Sequence, residues 1–201
     1  MSPDRIRLHP GRPRTIRNKR GIAQAFSGPS TGLELRRATV FDVFQISRVL
    51  TRSITYLCAG DHHKDTALLA AWTGNKDPQT IRRWIQSGAT LWLAEVDGVV
   101  AGVGGVRHGA ELSLLYVDPA YVRRGIGLAL LIRLEHELAG QGCTTAHLNA
   151  TTTARAFYRR YGWLDVGAPT NWLGMPHYPM RKSLHPAAEG LRPAHPGDMS
   201  R

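Results

Sequence analysis

The chain has 201 residues, 42% of them apolar and 20% charged, with a formal net charge of +11. That length supplies the core of one ordinary domain. No run approaches the roughly 20 apolar residues that span a bilayer, and the N-terminus lacks the apolar stretch of a secretory signal. Residues 1–30 carry seven Arg and Lys against one Asp, so more than half of the excess charge sits in a Pro- and Gly-containing arm. The remaining body is mildly basic, which suits an anionic ligand without demanding one. Cys58 and Cys143 are far apart and in no metal-ligand spacing. They are expected to be free thiols in a reducing, cytoplasmic setting, and no metal site is expected.

Residues 1–31 show no apolar periodicity and are expected to be a disordered basic arm. Residues 185–201, with Pro186, Pro193 and Pro196, are expected to form a flexible tail, leaving one domain over 32–184. Leu33 to Arg37 has the pattern of a strand. Thr39 is placed to cap a helix whose apolar face is Val43, Ile46, Val49 and Leu50, with Asp42 near its positive end. Further helical pieces are expected around 66–72 and 78–86. Strands over 90–95 and 99–106 flank Asp97-Gly98, a strong hairpin signal. Glu111 to Val117 is a strand stopped by Asp118-Pro119. A helix over 125–139 buries Leu130, Leu131, Leu134 and Leu138, and Gly140 and Gly142 end it. A strand over 144–150, a helix over 153–161 and a last strand over 179–184 complete an α+β chain on a mixed, mainly antiparallel sheet. The strand, helix and strand from 111 to 150 form one parallel crossover.

The chemistry is concentrated where Leu114-Leu115-Tyr116-Val117-Asp118-Pro119 leads into Tyr121-Val122-Arg123-Arg124-Gly125-Ile126-Gly127-Leu128. Here a strand runs into a Gly-containing loop that opens a long helix. The first helical turn leaves amides unpaired, the macrodipole adds positive potential, and glycines let a bulky anion approach. Such a turn is a phosphate or pyrophosphate cradle, although two glycines in a strand-loop-helix also serve packing alone. The three-glycine order of a dinucleotide fold is absent, which disfavours a nicotinamide site.

About thirty residues on comes Ala154-Arg155-Ala156-Phe157-Tyr158-Arg159-Arg160-Tyr161-Gly162-Trp163. Together the two segments resemble the GNAT superfamily of N-acetyltransferases, over roughly residues 33 to 184. Ser53-Ile54, Leu57-Cys58, Asp61-His62, Ala71-Trp72 and Asn75-Lys76 resemble a bacterial group within it. The resemblance implies a sheet of about six to seven strands, splayed at the cofactor site, and acetyl-CoA as co-substrate. It implies that the main chain of Leu115, Tyr116 and Val117 pairs with the pantetheine arm, with a bulge there aiming an amide at the thioester carbonyl. Arg123, Arg124, Gly125, Ile126, Gly127 and Leu128 would hold the pyrophosphate. Val122 stands where the family usually has Gln or Arg, and Thr151 where many relatives place a cofactor-touching Asn. Tyr158 matches the tyrosine that in many relatives donates a proton to the departing thiolate, a role open to a phenol, or else it packs against the cofactor.

An attacking amine must lose its proton, and Glu111 is a candidate base acting through water, or else a solvated strand-end charge. Asp61, His62 and His63 form a second polar cluster where the family shapes its acceptor pocket, with His62 another candidate base. A surface turn is the competing reading of that cluster. The expected partner is a small-molecule or peptide amine, with no membrane; a homodimer stays open. An acyl-CoA sensor without turnover is a competing reading. So is a nucleic-acid-associated protein using Arg12, Arg14, Arg17, Lys19 and Arg20, although the body offers no recognition helix or aromatic platform.

Overall fold

The computed structural model describes residues 32–184, so the expected arm over 1–31 and tail over 185–201 lie outside the described residues. The elements in order are β1 (Leu33–Arg37), α1 (Val43–Leu57), α2 (Ala59–His62), α3 (Thr66–Thr73), α4 (Pro78–Gln86), β2 (Thr90–Val96), β3 (Val99–Arg107) and β4 (Glu111–Val117). After a 3₁₀ turn (Pro119–Tyr121) come α5 (Ile126–Gly140), β5 (Thr145–Thr151), α6 (Thr152–Arg160), β6 (Leu164–Asp165), β7 (Thr170–Trp172) and β8 (Met175–Ser183). The sheet runs β1-β2-β3-β4-β5-β8-β6, with β7 also paired to β8. It has eight strands, more than expected, because β6 and β7 are only two and three residues long and carry no legible alternation. β8 begins at Met175 rather than 179 despite Pro176 and Pro179. A proline in a strand loses its donor but keeps its acceptor, and the Pro179 carbonyl takes the Val166 amide at 2.8 Å.

Two apolar layers cover the sheet. On one face Leu131, Leu134 and Leu138 of α5 and Tyr158 of α6 pack with Val106, Leu112, Leu148 and Met180. On the other, Val43, Ile46, Val49 and Leu50 of α1 and Ile81 of α4 pack with Leu91, Leu93, Val103 and Leu114. Helix α5 lies directly against the β3 backbone. A Cβ at Gly102 would come within 2.8 Å of Ile126 and 2.9 Å of Leu130, and one at Gly104 within 2.8 Å of Leu134. Absent side chains in mid-strand thus set the depth at which α5 sits.

The β2–β3 hairpin turns as expected at Asp97 and Gly98, both with positive φ (51° and 76°), the pair of left-handed residues that a two-residue turn of this kind needs. The start of α1 differs from expectation: Asp42, not Thr39, occupies the N-cap position. Arg36 holds the Asp42 carboxylate with two nitrogens at 2.7 and 2.9 Å and also reaches Glu95 at 2.7 Å. From there Asp42 accepts the Thr39 amide at 2.7 Å and its hydroxyl at 2.9 Å, so a turn precedes the helix.

These bonds hold the Asp42 carboxyl at about 2, below the usual 3.8; the Arg36 hydrogen bonds are the main cause, with burial opposing them and Thr39 adding to them. A depressed carboxyl contributes stability that is complete above its unfolded value and disappears as pH falls through the folded one. Asp42→Asn is therefore expected to cost about 2 kcal/mol at pH 7. Urea unfolding of both proteins should show that gap closing between about pH 4 and pH 2.

Candidate active site

Strand β4 carries the feature that opens the site. Its pairing with β3 steps from Leu112↔Val106 to Leu114↔Gly105, so Ser113 is an extra residue. Ser113 Oγ donates to the Gly105 carbonyl at 3.2 Å. The insertion reverses the faces beyond it: Leu112 packs under α5, and Leu114 packs under α1. The bulge was expected over 115–117; it lies a little earlier, at Ser113 opposite Gly105, where a Cβ on that glycine would come within 3.5 Å of Leu114.

The same insertion sets the direction of the amides. Asp118 donates its amide to the Ala101 carbonyl at 2.8 Å. Counting back in an antiparallel ladder, Tyr116 and Leu114 point their amides at β3, whereas Leu115 and Val117 point theirs at the opposite edge. That edge should be occupied by β5, yet β5 pairs with β4 only at Glu111↔His147. β5 keeps its other edge bonded to β8 from Thr145 to Thr151. Beyond residue 111 the two parallel strands part, and the amides of Leu115 and Val117 face the gap.

A cavity of about 550 Å³ fills this gap and reaches both faces of the sheet. At its upper end the chain turns into α5. Arg123 (φ 62°) and Gly125 (φ 78°) are both left-handed, and successive amides in such a turn form an anion-binding concavity. The α5 N-terminus has no side-chain cap, in contrast to α3, α4 and α6, which are capped by Asp65, Asp77 and Thr151. Its first amides are therefore available to a ligand. Gly127 faces the cavity, where a Cβ would touch Phe157 and Val117. Asp118 steadies the turn by accepting the Ala120 amide at 2.9 Å and an ion pair from Arg52 at 3.0 Å. Arg124 lies over Tyr121, 5.2 Å from the ring centre. Val122 is exposed and extended.

Tyr158 lines the cavity from α6 and is only 7% exposed, set edge-on against Phe157 and Trp163. Burial drives its phenol well above the ordinary range, with Tyr116 adding to the effect. Tyr116, across the gap, is pushed up to about 12 by burial, with Cys58 and Asp61 adding. Burial thus favours the protonated form of both phenols. Thr151 also lines the cavity; its oxygen accepts the Ala154 amide at 3.3 Å, which leaves its proton to donate.

The expected residues do not all meet. Leu115, Tyr116, Val117, Arg123, Gly125, Ile126, Gly127, Leu128, Thr151 and Tyr158 share the cavity. Glu111 does not: it sits where β4 and β5 are still paired and faces a second cavity beside Trp84 and His108. His62 is 2% exposed and has both ring nitrogens engaged, Nδ1 accepting the Lys64 amide and Nε2 against the Ile54 carbonyl, each at 3.2 Å. It has no nitrogen left to serve as a base. His63 is exposed. Asp61 is buried, and its Oδ1 accepts the Thr153 amide at 3.0 Å, so the turn reading fits His63 alone. Ser53, Leu57, Cys58 and Trp72 line the far wall; the sequence offered them as part of the resemblance to a bacterial group, with no site role.

Residues 58–184 match the family model described as an acetyltransferase (GNAT) domain; the chain belongs to the GNAT acetyltransferase family. It is 28% identical over 138 residues to the uncharacterized N-acetyltransferase YafP of Escherichia coli K12, covering 67% of this chain and 83% of that protein. A GCN5-related N-acetyltransferase from Rhodopseudomonas palustris shares the fold with a TM-score of 0.67 at 24% identity, covering 75% of this chain and 95% of that one. The PaiA N-acetyltransferase of Thermoplasma acidophilum, solved in complex with coenzyme A, does so with a TM-score of 0.65 at 20% identity, over 75% and 98%.

Cys58 sits on the cavity wall, where a covalent mechanism would need a thiolate. Burial pushes its thiol up to about 12, with the Asp61 charge adding. At pH 8 only about one such thiol in ten thousand is ionised, and the thiolate is the reactive form. Iodoacetamide at pH 8 should therefore modify Cys58 at less than about a hundredth of the rate of free cysteine, as measured by mass spectrometry of the Cys58 peptide.

Proposed function

We propose that this protein is an N-acetyltransferase that moves an acetyl group from acetyl-CoA to an amine by direct attack within a ternary complex. The observation that carries this reading is the row of outward amides on β4, at Leu115 and Val117, facing a gap that β5 leaves open. A strand edge of this kind pairs with an extended, amide-bearing arm as it would with another strand. The uncapped first turn of α5, with Arg123 and Arg124 beside it, suits the doubly charged pyrophosphate at the end of that arm. One cavity is lined both by this turn and by Leu112, Leu148 and Asn149 of the neighbouring strands.

Acetyl-CoA supplies an activated acyl group; the chain supplies position and charge. An amide fixed in the gap stabilises negative charge developing on the thioester oxygen, with no reorganisation at the moment of reaction. Tyr158 remains protonated and donates a hydrogen bond to the departing sulfur. The proton that the amine sheds on attack passes through water in the cleft to the thiolate, so that CoA leaves as the free thiol. Thr151 donates its hydroxyl proton into the same gap. The amine enters from the wall formed by Ser53, Cys58 and Trp72, so both reactants are held in one cleft. No step falls to Glu111, and the high value of Cys58 argues against an acyl-cysteine. Asp118 and Arg52 act as positioning residues, since they hold the turn rather than touch the ligand.

Two substitutions test the reading. Gly127→Glu places a side chain and a negative charge in the cradle, and should weaken acetyl-CoA binding by at least about a hundredfold in a calorimetric titration; undiminished affinity would sink the assignment. Tyr158→Phe should lower kcat by about tenfold to a thousandfold with little change in cofactor affinity. Release of free CoA across a panel of amines reads that rate and separates turnover from simple acyl-CoA binding.

A further inference from the structure

Helix α6 carries three arginines, and they differ in what they already bind. Arg155 and Arg159 both hold the Asp165 carboxylate, at 2.7 and 2.6 Å, and Arg155 also lies 3.9 Å from the centre of the Tyr178 ring. Arg160 forms no ion pair or side-chain hydrogen bond among the described residues, whereas both its neighbours do. It is exposed, and it lines the cavity. The charged side chains of that lining are Arg123 and Arg160, with no Asp or Glu among the described residues to neutralise them.

The two cations stand at different depths along the ligand's path. Arg123 belongs to the left-handed turn that leads into α5, beside the uncapped amides. On α6 the cavity is lined by Thr153, Ala154, Phe157, Arg160 and Tyr161, the spacing of one helix face. Phe157 lies against the α5 N-terminus, since a Cβ at Gly127 would be 3.6 Å from its ring. Just past the end of α6, Trp163 Nε1 donates to Glu135 of α5 at 2.9 Å. The two helices therefore run in the same direction, and Arg160 falls between these contacts, beyond the turn that suits the pyrophosphate. CoA carries a further phosphate beyond its pyrophosphate, on the 3′-oxygen of the ribose. An arginine fork takes a phosphate through two parallel charge-assisted bonds.

We propose that Arg160 receives the ribose 3′-phosphate of CoA and makes the protein selective for CoA over acyl donors that lack this group. The inference rests on the acetyl-CoA reading for its setting and adds the residue that discriminates the donor. Arg155 and Arg159 have no such role, because Asp165 already neutralises them. The pyrophosphate keeps its own partners, Arg123 and the first amides of α5, so the two phosphate contacts are separable.

The test is a calorimetric titration of the full chain with CoA and with 3′-dephospho-CoA. The native protein should bind CoA about tenfold more tightly than 3′-dephospho-CoA, the scale of one charge-assisted pair. Arg160→Gln should lose about that factor for CoA and less than about twofold for 3′-dephospho-CoA, which closes the gap. Its retained affinity for 3′-dephospho-CoA also reports a folded site. Arg159→Gln removes the same charge one position away and should leave the gap in place. Equal losses for both ligands in Arg160→Gln would assign the residue to the pyrophosphate and overturn the inference. A native protein that does not separate the two ligands would overturn it as well, and so would an Arg159→Gln variant that closes the gap equally. A native protein that binds neither ligand would overturn the acetyl-CoA reading itself.

Discussion

One residue of slack in β4 governs how the site is built. Ser113 is inserted without a counterpart on β3, and from that point the strand presents the other face and the other set of amides. Had the ladder continued in phase, Leu114 would have packed with Leu112 beneath α5, and the amides facing the gap would have been those of Leu114 and Tyr116. The parting of β4 from β5 matters only because of this shift. A gap between strands is costly when it leaves buried donors unpaired, and tolerable when a ligand can take them.

The elements that hold the gap open are ordinary structural devices placed at its rim. β8 keeps β5 fully bonded on its far side, so β5 does not follow β4. Gly102 and Gly104 let α5 settle on β3, which fixes where the uncapped N-terminus of that helix points. Arg52 ties α1 to Asp118 beneath the turn, and Arg36 ties the start of α1 to the outer strands through Asp42 and Glu95. Each bond is local, and together they fix two walls and a charged rim.

Inside, burial does the chemical selection. It raises the phenols of Tyr116 and Tyr158 and the thiol of Cys58, so the lining offers protons rather than nucleophiles. The positive character of the cleft lies at the α5 turn, where Arg123 and uncapped amides border it.

The sequence by itself determined the features that depend on near neighbours. The left-handed turn at Asp97 and Gly98, the Gly125 turn into an amphipathic helix, and the placement of Tyr158 on the helix after β5 all follow from local turn chemistry and periodicity. The short strands β6 and β7 and the single turn of α2 were hidden, because two to four residues carry no period. Tertiary structure alone decided which side chains remain available. His62 loses both nitrogens to main chain contributed by its own loop and α1, and Glu111 is placed at the paired end of the strand. Asp61, which nothing in the linear order connects to α6, takes the Thr153 amide of its first turn. A residue's identity fixes what it can donate or accept; whether a partner already occupies it depends on packing between segments distant in the chain, and that is what set the chemistry here.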